Sequence, residues 1–107
     1  MTRVFAAPAL LCATIAFSSF AVAEDFDPDL VKKGARTYDN NCAQCHGDKL
    51  VNSGGAAFDL KRLRDDERPR FNNSVLNGKN AMPAWHGIIK DPDLDALWAY
   101  IRTNAYP

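Results

Sequence analysis

Cys42-Ala43-Gln44-Cys45-His46 is the stretch whose reading decides the fold. Two cysteines three apart with a histidine directly after the second match the attachment pattern of c-type haem. The spacing has a chemical reason. Two intervening residues let one turn of chain present both thiols to the two vinyl groups of a porphyrin, where they add as thioethers. His46 then falls beneath the iron, and its imidazole supplies a proximal nitrogen ligand. Three other chemistries use similar residues. A thioredoxin-like dithiol expects a βαβ setting, and no strand-rich pattern surrounds this motif. A zinc site needs four ligands, and beyond Cys42, Cys45 and His46 the chain offers only His86. A plain disulfide between Cys42 and Cys45 is the third. Haem is the reading adopted.

The chain has 107 residues, room for one small domain. Its start reads as a targeting segment: Arg3 gives a positive beginning, residues 4–20 are almost all apolar or small, and Ala21-Val22-Ala23 fits a small-residue cleavage site. The expected division is a signal peptide over residues 1–23 and a functional domain over residues 24–107. An uncleaved membrane anchor is the alternative, but Pro8, Thr14, Ser18 and Ser19 interrupt the run and the A-x-A ending favours removal. Bulky Leu11 before Cys12 argues against a lipid anchor, and no adjacent arginines support a twin-arginine route.

Cleavage removes Cys12 and leaves two cysteines, both inside the motif. An exported domain of that size without a disulfide framework has a marginal core. Covalent haem would be its staple, so the polypeptide alone is expected to fold poorly. Removing Arg3 leaves 12 basic residues against 13 acidic ones. Near-neutrality excludes a nucleic-acid binder, which needs a basic excess. Lys61, Arg62, Arg64, Arg68 and Arg70 crowd one stretch, which reads as solvated surface or as a charged docking face.

The patterning is all-α. Asp27-Pro28 reads as an N-cap followed by the first helical position, opening a helix over residues 28–40 with Leu30, Val31, Gly34, Ala35 and Tyr38 in helical register. Residues 47–57 read as loop, and Phe58-Asp59-Leu60 as a short turn set against the haem. Asp65 or Asp66 caps a second helix with Pro69 in its first turn and Phe71, Val75 and Leu76 as its stripe, ended by Asn77-Gly78. Asp91 caps the last helix, with Pro92 first and Leu94, Leu97, Trp98 and Ile101 on one face beside Tyr100.

A second axial ligand is sought from what remains. Met82 would be the only methionine of the mature chain. It stands in a loop before Pro83, which fixes the local backbone. Thioether sulfur is soft and suits iron(II), and His/Met ligation raises the reduction potential. A gap-filling core methionine is the plainer alternative. His86 is the rival ligand, or the distal base of a peroxidase. Trp85 packs on the haem edge, donates to a propionate, or is plain core packing, and Lys61 or Arg62 is the candidate counter-ion of a propionate.

Cys42-Ala43-Gln44-Cys45-His46, Met82-Pro83 and the paired terminal helices resemble the class I cytochromes c, small single-haem carriers of the bacterial periplasm. The resemblance covers residues 28–104. It implies a cytochrome c-like domain of three to four helices wrapped around one covalent haem c. It also implies that Gly34 and Tyr38 of the first helix cross Tyr100 and Leu97 of the last. Gly54-Gly55, Phe58-Asp59-Leu60, Gly78 and Met82-Pro83-Ala84-Trp85 look like the carriers and haem domains that serve quinoprotein alcohol dehydrogenases. Those usually have proline before the Asp-Leu, with its carbonyl region holding the proximal histidine. Phe58 stands there instead, and its backbone carbonyl can still accept the His46 N–H. The implied function is periplasmic single-electron transfer, not enzymatic catalysis. Cys42 and Cys45 hold the haem, and His46 and Met82 ligate the iron. The implied donor is a pyrroloquinoline-quinone-dependent dehydrogenase and the acceptor an oxidase, with no nucleic acid, no membrane insertion after signal cleavage and a monomeric state. The alternative is a haem peroxidase or gas-binding cytochrome with a labile distal site.

Overall fold

The computed structural model of the protein describes residues 2–17, 24–52 and 54–107. Residues 2–17 are exposed and form no helix. The cleavage site expected at residues 21–23 lies outside the described residues. Among the described residues, no helix is long and apolar enough to cross a membrane.

Four α-helices make the domain: α1 (Pro28–Asn41), α2 (Ala43–His46), α3 (Arg68–Asn77) and α4 (Asp91–Asn104). The described residues hold no β-strand, only an isolated bridge between Lys79 and Met82. The start of α1 is as its sequence predicts. The Asp27 carboxylate accepts from the Asp29 N–H at 2.7 Å, and Pro28 takes the position where a missing N–H costs nothing. The helix runs to Asn41, where the Cys42 N–H donates to the Tyr38 carbonyl at 2.8 Å and hands the chain directly to α2.

The packing of α1 on α4 turns on Gly34. A Cβ there would lie 1.9 Å from the Ala96 carbonyl oxygen and 2.7 Å from Tyr100 Cβ, so the two backbones touch where only hydrogen fits. Ala96 and Ala99 keep the facing surface of α4 low. One turn along, the Tyr38 and Tyr100 rings meet at 5.4 Å between centroids and 50° between planes, a tilted aromatic pair. Lys33 and Asp93 clip the helices at 3.1 Å, an exposed pair worth under about 1 kcal/mol. Packing, not charge, holds this crossing.

Helix α3 joins through Phe71, whose ring sits 5.3 Å from Trp98, and through buried Val75. The Arg68 guanidinium lies 5.3 Å over Trp98 and pairs with Asp95, so this cation shields apolar surface. Arg102 ties three segments together: it donates to the Glu24 carboxylate at 2.9 Å and to the Leu63 carbonyl from the last turn of α4.

Two helix starts differ from expectation. Lys90, in extended conformation, is the N-cap of α4, and Asp91 is its first helical residue. Asp91 and Asp93 act instead as first-turn acids facing the positive end of the helix dipole. Before α3, Asp65–Glu67 form a 3-10 turn rather than a cap. The Glu67 carboxylate reaches back to accept from the Arg64 N–H at 2.9 Å, the backward arm of a capping box that closes this turn.

Gly34→Ala in the haem-loaded protein is expected to cost about 3 kcal/mol or more, because backbone rather than a flexible side chain must yield; a denaturant titration followed at the haem band measures it. The pH response has a definite sign as well. Burial holds the Tyr38 and Tyr100 hydroxyls protonated well above the ordinary tyrosine value. The unfolded chain releases those protons first, near pH 10. The tyrosines' contribution to stability is therefore expected to be constant below that pH and lost above it, and Tyr38→Phe should flatten the alkaline fall in a pH series of melts.

Candidate cofactor site

A cavity of about 640 Å³ opens among α2, α3, α4 and the loop carrying Met82. That is within the range of sites for small molecules and cofactors. Cys42, Cys45 and His46 form one part of its wall. Phe71 and Val75 of α3 with Leu97 and Ile101 of α4 form an apolar part. Phe58, Leu60, Met82, Pro83 and Trp85 complete it.

The motif is presented by a tight reversal after His46. Gly47 has φ +93°, and a Cβ on it would lie 1.8 Å from the Val51 carbonyl oxygen. The Tyr38 hydroxyl donates to the Gly47 carbonyl at 2.6 Å, so the α1–α4 aromatic pair also pins this turn. Lys49 and Leu50 follow at φ 50° and 66°, left-handed conformations that cost non-glycine residues about 1–3 kcal/mol each. Leu50 is 1% exposed, and its burial holds the strained turn in place.

The first ligand candidate is already oriented. His46 Nδ1 lies 3.1 Å from the Phe58 carbonyl oxygen. A carbonyl only accepts, so Nδ1 carries the hydrogen and Nε2 keeps its lone pair for a metal. The carbonyl is itself positioned from both sides. Asp59 caps the 3-10 turn Leu60–Arg62 by accepting from the Lys61 N–H at 3.1 Å, and the Asn52 side chain donates to the Ala57 carbonyl at 2.6 Å. Proline is therefore not needed at position 58.

Of the motif cysteines, Cys42 is half-buried and Cys45 exposed. Burial, then the neighbouring Cys45, pushes the Cys42 thiol up to about 11. No disulfide joins the pair. Among the described residues, no group of three or more His, Cys, Asp or Glu side chains is gathered as a metal site, so zinc geometry is not met.

The Met82 loop is anchored to the end of α3. Gly78 ends that helix at φ +77°, and a Cβ on it would fall 2.6 Å from the Met82 carbonyl oxygen. Lys79 and Met82 exchange backbone hydrogen bonds of 3.1 and 3.0 Å. The Trp85 and His86 N–H groups donate to the Val75 and Leu76 carbonyls, at 2.8 and 3.2 Å, which helix α3 leaves open at its end. Met82 and Trp85 are half-buried on the cavity wall, whereas His86 is exposed and outside it. The two cations expected to meet propionates are elsewhere too: Lys61 lies over the Tyr106 ring at 5.8 Å, and Arg62 faces Asp59 at 3.8 Å. Arg70 and Lys79 line the cavity instead. Helical register offered a signal for the first, since Arg70 and Ser74, four apart, share a face next to Phe71 and Val75.

An apolar cavity with two thiols and an oriented imidazole on its wall fits a covalently held porphyrin. Comparisons with known proteins agree. The family described as cytochrome C oxidase, cbb3-type, subunit III matches residues 29–101. Cytochrome c6 of Nostoc sp. is 35% identical over 96 residues, covering 86% of this chain and 82% of the relative. Quinohemoprotein alcohol dehydrogenase ADH-IIG of Pseudomonas putida is 29% identical over 82 residues, which are 75% of this chain but 11% of that enzyme. The solved structure of that dehydrogenase superposes with a TM-score of 0.70 at 28% identity, over 78% of this chain and 12% of its own. Cytochrome c6 of the diatom Phaeodactylum tricornutum superposes with a TM-score of 0.55 at 27% identity, over 70% of this chain and 93% of its own. The likeness thus spans most of a cytochrome c6 and a small part of the dehydrogenase. The chain belongs to the cytochrome c family, electron carriers rather than enzymes, whose c-type haem is bound covalently.

Proposed function

We propose that the chain is a periplasmic one-electron carrier with His46 and Met82 as axial ligands and thioethers at Cys42 and Cys45. The observation that carries this reading is the shared wall: all four side chains line one cavity, and the rival His86 does not. Bound haem supplies a one-electron couple at its iron. The polypeptide does the rest. The Phe58 carbonyl keeps the His46 Nε2 lone pair directed to the metal and raises its basicity. Met82 offers a soft sulfur that favours iron(II) and a raised potential. With His46 and Met82 both holding the iron, a substrate would find no open position and the iron's surroundings would change little on electron transfer. A peroxidase would need a distal base, and exposed His86 offers none inside the cavity.

Export by a signal peptide over residues 1–23 would deliver residues 24–107 to the periplasm as a monomeric domain. Likeness to the haem portion of a quinohemoprotein alcohol dehydrogenase supports a quinoprotein dehydrogenase as donor. The cbb3-type description of the matching family supports a terminal oxidase as acceptor. Docking with either would be weak and transient, as redox encounters commonly are.

Protein made with a working haem-maturation system should give a pyridine haemochrome and thioether-linked porphyrin mass, both lost in the Cys42→Ala/Cys45→Ala variant. The oxidised protein should show a weak band at the red end of the visible spectrum from iron–sulfur ligation. Met82→Ala should abolish that band, while His86→Ala keeps it; survival of the band without Met82 would overturn the distal assignment.

A further inference from the structure

Charge is distributed unevenly between the cavity and the surface around it. Among the described residues lining the cavity, Arg70 and Lys79 are the lysines and arginines, and no Asp or Glu joins them. The haem of this family brings two propionates, and burying carboxylates beside an apolar wall is costly unless cations meet them. Arg70 is the better prepared of the two. Its guanidinium donates to the Glu67 carboxylate at 2.6 Å and lies 4.8 Å over the Phe58 ring. Glu67 is fixed in turn by the Arg64 N–H. One N–H of the fork is thus engaged and one face is stacked, which leaves further donors for a second carboxylate. Phe58 is also the residue whose carbonyl holds His46.

We propose that Arg70, oriented by Glu67 and Phe58, is the counter-ion of a haem propionate and a positioning residue that sets the carrier's reduction potential, with Lys79 as the second cation. This rests on reading the cavity as the haem site. The oxidised iron centre carries one more positive charge than the reduced one. A fixed cation at the cavity therefore favours the reduced state, and its removal favours the oxidised state. Glu67 opposes Arg70, so neutralising Glu67 acts with the opposite sign. Gln at position 67 keeps a side-chain acceptor for the Arg64 N–H, so the turn before α3 stays capped.

Equilibrium titration of haem-loaded protein against a one-electron mediator of known potential tests this. Arg70→Gln should shift the electron-exchange equilibrium toward the oxidised form by about two- to tenfold, the range for a charge roughly 10 Å away in partly screened surroundings. Arg70→Lys should restore most of the shift, and Glu67→Gln should move it the other way. A packing role alone would move Arg70→Gln and Glu67→Gln in the same direction, and that outcome, or no shift with Arg70→Gln, overturns the proposal. The absorption spectrum of each variant reports separately on the haem and its ligands. A normal spectrum with an unmoved potential sinks the role of Arg70 alone, whereas loss of haem from the unsubstituted protein would sink the reading beneath it.

Discussion

Beyond the Phe71–Trp98 contact, Phe71 and Val75 of α3 and Leu97 and Ile101 of α4 face a cavity, and the rest of the structure depends on that hole being filled. Left unfilled, this apolar-walled site of about 640 Å³ would leave those side chains without packing partners, a loss that weighs against the marginal stability of an ordinary small domain. Among the described residues no disulfide crosslinks the chain and several of its ion pairs are exposed, so these contribute little to holding Phe71, Val75, Leu97 and Ile101 apart. A rigid apolar cofactor makes these separations favourable.

The same dependence explains where strain is tolerated. Lys49 and Leu50 sit in left-handed conformations directly after the motif, and Gly47 makes an approach to Val51 that no side chain permits. Gly78 plays the matching role below Met82. These tight turns bracket the two segments that bear the candidate ligands. Each is fastened to a regular helix: the first by the Tyr38 hydroxyl on α1, the second by the open carbonyls of α3. Ligand groups on loops are thereby fixed by helices whose own packing turns on Gly34. A change at the α1–α4 crossing reaches the motif through Tyr38, by its hydroxyl on Gly47 and its carbonyl on the Cys42 N–H.

Much of this was legible in the residues, and the limits of legibility have physical causes. The motif is covalent chemistry written in sequence, so no packing is needed to read it. Asp27-Pro28 and Asn77-Gly78 are local signals and mark helix ends as they should. The Gly34, Tyr38 and Tyr100 crossing followed from family resemblance rather than pattern, because a glycine in a helix does not by itself say what approaches it. Asp91 misled for a different reason: a cap and a first-turn acid place the same residue type one position apart, and the backbone conformation of Lys90 decides between them. The partners of the cations were not legible either. Lys61 and Arg62 are adjacent to the Phe58-Asp59-Leu60 turn in sequence, yet the 3-10 turn points them to Tyr106 and Asp59.

The basic run over residues 61–70 shows how little a charge cluster says before its partners are known. In sequence it is five cations interrupted by Asp65, Asp66 and Glu67. In space Arg62 faces Asp59, Arg64 faces Asp66, Arg68 faces Asp95 and Arg70 faces Glu67. Four acids drawn from three segments neutralise four of its five cations locally, so the long-range field expected of a docking face is largely cancelled within a few ångströms. What survives is position rather than net charge. Among the four paired arginines, Arg70 alone also reaches the cavity wall, where its charge would stand closer to a bound cofactor than the others do. The cluster's influence on electron transfer is therefore concentrated in one side chain beside the cofactor, and its other members hold the turns and helix starts that put that side chain there.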